Sequence, residues 1–316
     1  MNNSHDSSND LLTVGPLVSV GIPTYNQPEG LRQTLKCITG QTYKNLEIIV
    51  SDDCSSGPET ESVVHEFMAK DNRIQYYRQE TNINAAFNCQ FVLEKATGEY
   101  FMWAEDDDII SQDLIESCLY EFSLNNSLIC VSNLVDRFES IETQKYLYSY
   151  DFYSNIGQNT YQRVKAISTI IVSGKPNIAT MISGLFRREM IINIKFNSQF
   201  GGDLLFLLTA SAKGEFTTIP KKLLKKYGRR KTINELKERF NYQFTGNPYW
   251  HFKKETIHIV DNMNELSDWQ KFKIKIFFPF LYCNCCIVKP KLNFLIYHIS
   301  YIIRSVVHKL KICINW

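Results

Sequence analysis

Four consecutive carboxylates, Glu105-Asp106-Asp107-Asp108, follow the apolar run Tyr100-Phe101-Met102-Trp103. Ionised carboxylates packed this closely repel one another unless a cation or a proton intervenes. Hard divalent cations such as Mg2+ and Mn2+ prefer carboxylate oxygens, and need few of them when phosphate and water complete the shell. The cluster therefore suits a metal-bound diphosphate. If the strand continues into it, alternation puts Glu105 and Asp107 on one side. A second acidic pair, Asp52-Asp53, follows the run Leu46 to Val50, and the polar triplet Thr24-Tyr25-Asn26 follows Leu17 to Ile22 and Pro23. Any one of these is explained as a capped turn, since Asp and Ser are good helix N-caps. Three at the ends of three apolar runs make a site. A later carboxylate, Asp203, stands between Gly201-Gly202 and Leu204 to Lys213; taken alone it is as well a helix N-cap as a general base.

The apolar runs read as strands and the segments between them as helices. From Pro28, Leu31, Leu35 and Ile38 recur at helical spacing and Gly40 is a stop. Helices are expected from about Pro58 to Lys70, Asn84 to Ala96 and Asp113 to Leu124, with strands at Ile74 to Tyr77, Tyr100 to Trp103 and Leu128 to Ser132. Alternation of this kind implies right-handed βαβ units and a mostly parallel sheet covered on both faces. Ligands of such sheets sit beyond the carboxyl ends of the strands, where the polar clusters fall. Arg137 to Thr160 has weak periodicity and reads as an insertion or lid. Ile178 to Phe186 reads as a strand, Leu204 to Lys213 as a helix, and Gly214 to Pro220 as a returning strand.

A chain of 316 residues with a formal net charge of +2 has room for a large core and lacks the concentrated basic excess of a nucleic-acid binder. No nucleic-acid partner is expected. Met1 to Asp10 has neither the basic nor the apolar region of a secretion signal. The nine cysteines then read as reduced thiols; the cluster Cys283, Cys285 and Cys286 has no second half that would hold zinc. From Trp269 onward there is no Asp or Glu, while eight Lys or Arg are present. Leu292, Leu295, Ile296, Ile299, Ile303, Val306 and Leu310 share one helical stripe. Pro279, Asn284 and Arg304 interrupt the apolar stretches below the ~20 residues of a spanning helix. A basic amphipathic helix suits an anionic membrane surface; it also suits docking on the rest of the chain with its lysines in water.

Three blocks in order, Val18-Ser19-Val20-Gly21-Ile22-Pro23-Thr24-Tyr25-Asn26, Ile49-Val50-Ser51-Asp52-Asp53-Cys54-Ser55, and Ala96-Thr97-Gly98-Glu99-Tyr100 leading to Glu105-Asp106-Asp107-Asp108, resemble the inverting family 2 glycosyltransferases of the GT-A fold. The resemblance is firm from about Leu17 to Leu114, looser to Leu223 and absent from the tail. It implies that Asp53 hydrogen-bonds the nucleotide base and that Pro23, Thr24 and Tyr25 cradle the nucleoside. Glu105-Asp106-Asp107 stands at the D-x-D motif, which makes Asp107 the metal ligand, with Glu105 contacting the metal directly or through water and Asp106 reaching the ribose. Glutamate in the first place departs from the motif, as does Asn84 where many members have glycine; Asn tolerates a positive φ better than most residues. Asp203 corresponds to the general base. Arg187 and Arg188 stand on an acceptor-side strand as weaker substrate contacts, and Arg229 in a basic segment that could meet a diphosphate or an anionic lipid carrier.

The expectation is an α/β chain of GT-A type: a leader at 1–15, a catalytic domain at 16–230 with a nucleotide half to about 110, and a helical, basic C-terminal region at 231–316. The resemblance implies inverting, Mn2+- or Mg2+-dependent transfer from a nucleotide sugar, a UDP-sugar first, to a saccharide or lipid-linked saccharide in cell-surface polysaccharide (O-antigen or capsule) assembly, at the inner face of the membrane. Two rivals remain. A nucleotidyltransferase would show an early basic, glycine-rich phosphate loop, and Pro23 to Gly30 has no Lys or Arg. A non-catalytic sugar-nucleotide-binding module would have lost the metal carboxylates or the base.

Overall fold

Seven residues of nearly continuous apolar and β-branched character form β1, Val18–Thr24, and seven more form β2, Leu46–Asp52, whose side chains are all buried. A computed structural model of the chain describes residues 15–140, 143–149, 153–173, 176–196, 201–227 and 248–275. Between these strands lies α1, Pro28–Thr39, opened by its proline and burying Leu31, Thr34, Leu35 and Ile38 on one stripe. The alternation continues through α2, Glu59–Met68, β3, Ile74–Arg78, α3, Ala85–Lys95, and β4, Tyr100–Trp103. All pairings among β1 to β4 are parallel, β1 between β2 and β4 and β2 beside β3. The carboxyl ends of these strands therefore share one edge.

Beyond β4 the sheet becomes mixed. The chain adds β5, Ile109–Ile110, α4, Leu114–Leu124, β6, Leu128–Phe138, β7, Tyr146–Ser149, α5, Thr160–Ser173, β8, Leu185–Arg187, α6, Arg188–Ile191, α7, Gly202–Lys213, and β9, Glu215–Tyr227. The strand order is β3-β2-β1-β4-β8-β6-β9-β5, with β7 on β6. Among the described residues of this half only β6 and β9 pair in parallel; β8 joins the halves antiparallel to both β4 and β6. Two further helices, α8, Pro248–Asp261, and α9, Asp268–Lys275, follow. Apolar side chains of α1, α2 and α4 fill one face of the sheet, and those of α3, α5, α7 and α8 fill the other. The mixed α/β sheet with helices on both faces is the expected fold class.

Three expected elements differ. Part of the segment read as an insertion is sheet: β6 runs on to Phe138 and pairs antiparallel with β7 through a bulge at Arg137/Phe138. Most of the run from Ile178 is a 3-10 segment, Pro176–Ser183, and the strand is confined to Leu185–Arg187; a short apolar run has no periodicity that separates the two. The strand after Gly214 does not end at Pro220. It continues to Tyr227 with a register shift opposite Asn133/Leu134, where a proline without an N–H cannot join the ladder.

The Ala96-Thr97-Gly98 block is structural. Buried Glu47, on β2, accepts hydrogen bonds from the Ser19 hydroxyl, the Thr97 N–H and hydroxyl, and the Gly98 N–H. This carboxylate fixes where β4 begins and hence where its far end emerges. Glu47→Ala leaves those donors without their acceptor and should cost at least about 2 kcal/mol of stability in urea unfolding; a loss below about 0.5 kcal/mol would show that water replaces it.

Candidate active site

The first two loops are stapled together at the strand ends. Thr24, last in β1, pairs with Asp52, last in β2. Asn26 donates its N–H to Ser55 Oγ at 2.8 Å and accepts the Ser56 N–H on Oδ1 at 2.8 Å. Asn26 and Cys54 adopt positive φ (52° and 63°), which turns both loops back toward each other. Asp52 is fully buried and accepts from Ser55 N–H, Tyr76 OH and Arg78. It anchors the loop, and its neighbour Asp53 receives the Ile83 N–H at 2.6 Å. Burial pushes the Asp53 carboxyl up, against the pull of the Ile83 and Asn84 N–H groups. Asn84 has the expected positive φ (69°), and its Oδ1 caps α3 by accepting from Ala86 and Phe87, a bond glycine could not make.

The acidic cluster is a turn rather than a strand end. β4 stops at Trp103, and Asp108 N–H donates to Glu105 O at 3.2 Å. Alternation therefore does not operate beyond Trp103; the turn itself gathers Glu105, Asp107 and Asp108, with one carboxylate oxygen of each within 4.8 Å of the others. Asp106 points elsewhere: its Oδ2 accepts Thr24 Oγ1 at 2.8 Å and the Tyr25 N–H at 3.4 Å, tying the cluster to the first loop. Helix α1 holds the turn from behind, since Thr34 Oγ1 donates to Glu105 O and Asp108 O. Gly30 permits this approach: a Cβ there would lie 2.3 Å from Asp106 O.

Lysine 226 completes the cluster. Lys226, on β9, donates to Glu105 Oε1 at 2.6 Å and to Asp108 Oδ1 and Oδ2 at 3.0 and 3.1 Å. Burial pushes the Asp108 carboxyl up while the Lys226 ammonium pulls it down; burial pulls Lys226 down in turn, and Asp108 and Glu105 together more than offset it and raise Lys226. Sequence reasoning missed this contact, although Lys225-Lys226 on an alternating strand must send one lysine inward. Three gathered carboxylates, two of which already hold one cation, have the donor chemistry for Mg2+ or Mn2+.

Asp203 is the second residue of α7. Gly201, at φ 68°, occupies the N-cap position and makes no side-chain cap, so Asp203 is not the cap. It lies in the first turn, where unpaired helix N–H groups favour negative charge. Loss of hydration at this half-buried position, opposed by the Leu204 N–H and supported by the Glu105 charge, leaves its carboxyl raised to about 6. Cys89, on α3, feels the charges of Glu105, Asp203, Asp106 and Asp53 in addition to the burial that pushes its thiol up to about 12. Pro23, Thr24 and Tyr25 line the same edge, with Tyr25 exposed.

The arginines are not brought there. Arg187 pairs with Tyr100, the first residue of β4, at the opposite end of the strand from the acidic turn. It is held by Tyr100 OH at 3.2 Å and Glu99 at 3.7 Å, over the Tyr100 and Phe122 rings. Arg188 N–H donates to Glu99 O at that same end. Both therefore lie apart from the acidic turn. Arg229 and the amphipathic stripe from Leu292 to Leu310 lie outside the described residues.

A family model, glycosyl transferase family 2, matches residues 19–180. The chain is 27% identical over 193 residues to the GalNAc(5)-diNAcBac-PP-undecaprenol beta-1,3-glucosyltransferase of Campylobacter jejuni, covering 60% of this chain and 57% of that one. Among solved structures it is similar to S. aureus TarS 1-349 in complex with UDP-GlcNAc, with TM-score 0.61 and 17% identity over 87% of this chain and 76% of that one. It is similar also to the mannosyltransferase PcManGT of Pyrobaculum calidifontis in complex with GDP-Man and Mn2+, with TM-score 0.50 and 14% identity over 90% and 80%. The chain spans about half the length, or less, of the curated relatives it matches.

The two glycines before Asp203 separate backbone demand from tolerance. A Cβ on Gly201 would meet both a positive φ and the Phe252 ring at 2.6 Å, whereas one on Gly202 would sit in ordinary contact, 3.5 Å from Phe196. Gly201→Ala should lose about 1–3 kcal/mol, and Gly202→Ala should stay within about 0.5 kcal/mol of the parent. Thermal unfolding of the pair checks this, and equal losses would contradict it.

Proposed function

The chain belongs to glycosyl transferase family 2, and from that membership we propose that it transfers a sugar from a nucleotide-diphosphate sugar to an acceptor hydroxyl with inversion. The observation that carries this reading is the turn that gathers Glu105, Asp107 and Asp108 and that Asp106 ties to Thr24 of the first loop. Asp53 and the loop Pro23-Thr24-Tyr25 hold the nucleoside, and Asp106, fixed by Thr24, orients toward the ribose. Asp107, with Glu105 and Asp108, would hold Mn2+ or Mg2+, which when bound supplies charge stabilisation to a departing diphosphate. Asp203 takes the acceptor proton as its oxygen attacks in line. A carboxyl raised to about 6 is still ionised at neutral pH and is a stronger base than an ordinary aspartate.

The donor proposed first is a UDP-sugar, as in the TarS complex. The acceptor proposed is a saccharide, lipid-linked as in the name of the Campylobacter relative, in cell-surface polysaccharide (O-antigen or capsule) assembly. The nucleotide half is assigned to 16–110, the acceptor half to 111–230, and the membrane-facing region to 231–316. Among the described residues no helix is long and apolar enough to cross a membrane. On α9, however, Trp269 and Phe272 are 60% and 51% exposed and stacked at 5.5 Å, and Lys273 lies over the Trp269 ring at 5.0 Å. Exposed aromatics among lysines suit an anionic interface. This supports a peripheral position on the inner face of the membrane.

Nucleotide release from UDP-, dTDP- and GDP-sugars, with and without Mn2+ and with membrane extract as acceptor source, tests the catalytic reading. Asp203→Asn should lower kcat by about 10²–10⁴, and Asp107→Ala should abolish the stimulation by metal. A protonated carboxyl accepts no proton, so kcat/KM should fall as pH drops through about 6, and the residual rate of Asp203→Asn should lack that limb. Nucleotide binding without turnover of any donor would favour a binding module instead.

Sedimentation with vesicles tests the membrane reading separately. The chain should bind phosphatidylserine-containing vesicles in preference to phosphatidylcholine alone, and Trp269→Ala/Phe272→Ala should weaken that binding. Equal binding to both vesicle types would count against an anionic interface.

A further inference from the structure

Lys226 is the buried, charged side chain of the site that the proposed reaction leaves without a role. It is 4% exposed. The antiparallel register of β5 and β9 pairs Ile109 with Lys225, so main-chain geometry brings Lys226 opposite Asp108. An ammonium has three donors, and burial is tolerable only when they are used. Here they engage Glu105 and both oxygens of Asp108. The two partners differ in setting: the Asp108 side chain is 1% exposed and that of Glu105 52%.

We propose that Lys226 is a built-in counter-cation that competes with a divalent ion for this cluster, yielding Glu105 to the ion while keeping Asp108. The inference rests on reading the cluster as a metal site. An ion drawing one oxygen from each of Glu105, Asp107 and Asp108 would share two of its three carboxylates with an ammonium already seated there. The two cations repel, and an oxygen that accepts a lysine N–H offers less charge to the ion. Glu105 is the contact that yields, since its exposed carboxylate is readily resolvated. Asp108 is the contact that holds, because separating a buried pair leaves an uncompensated charge.

Two consequences follow for the reaction. The turn keeps its shape without metal, because the lysine offsets repulsion among the carboxylates. The bare ion binds weakly, and tight binding waits for the oxygens of a diphosphate. Lys226 thereby makes metal capture depend on nucleotide.

Titration calorimetry of the full chain with Mn2+, with and without UDP, tests this on the wild type, Lys226→Met and Lys226→Arg. Lys226→Met should bind Mn2+ alone at least about ten-fold more tightly than wild type and lose most of the enhancement by UDP. Lys226→Arg, which keeps the charge, should stay near wild type. In EDTA Lys226→Met should melt lower than wild type, and Mn2+ should restore it. Equal or weaker Mn2+ affinity in folded Lys226→Met overturns the proposal while leaving the metal reading intact. If Lys226→Met fails to fold, Lys226→Gln replaces it. Failure of both to fold even with Mn2+ overturns the proposal too, because the ion must be able to take the lysine's place. No Mn2+ binding by any form, with or without UDP, overturns both the proposal and the metal reading.

Discussion

Negative charge is concentrated at the carboxyl ends of β2 and β4, on either side of β1, and the surrounding structure is organised by how that charge is held. Two unit charges 4 Å apart at an effective dielectric near 20 interact by about 4 kcal/mol, comparable with a large fraction of a domain's stability. Each buried carboxylate therefore has donors from another element. Arg78 and Tyr76 hold Asp52, the Ile83 N–H holds Asp53, Thr24 holds Asp106, and Lys226 holds Asp108. These bonds run between strands and loops far apart in sequence. The charges that equip the site thus also lock its loops to one another.

Beneath the charged rim lies an aromatic floor. The Trp103 indole N–H donates to Cys89 O at 3.0 Å, and its ring meets Phe186, Phe196 and Phe206 at centroid distances of 5.8, 5.5 and 5.1 Å. Trp103 stands two residues before Glu105, and Phe206 stands three residues after Asp203, about one helical turn along α7. One packed cluster therefore sets where the acidic turn and the base candidate lie relative to each other. Edge-to-face pairs contribute about 0.5–1.5 kcal/mol each, but close packing gives the further property that a shift in one ring is felt by all. The spacing of two catalytic candidates on different elements is thereby a packing property of the aromatic residues beneath them.

What was legible in the sequence followed local rules. Val18 to Thr24, Leu46 to Asp52 and the stripe Leu31, Leu35 and Ile38 announce strand and helix by periodicity, and the parallel order of β1 to β4 follows from their alternation. The acidic turn, Asp53 and Asp203 stand out by residue type after apolar runs. What was not legible depends on pairing between distant segments. Arg187 owes its distance from the acidic turn to its register opposite Tyr100, at the far end of β4. Asp108 gains its place from a turn that folds back, and Lys226 from a strand that continues past a proline.

That strand shows how far the site rests on register. Between Leu134 and Val135 of β6, the paired residues of β9 jump from Lys222 to Leu224. The extra residue, Leu223, reverses which alternate side chains face inward, and Leu223 and Leu224 are accordingly both buried. Downstream of the bulge Lys226 points into the acidic turn and Lys225 lies exposed, with its ammonium 5.9 Å from the Phe138 ring centroid. A slip of one residue would exchange the two lysines and turn Leu224 out of the core. The residue type at the two positions is the same, so it carries no information about which one serves the site. The choice is made by the last of the register shifts in this ladder, and re-aiming side chains next to a site is the recurrent use of such irregularities.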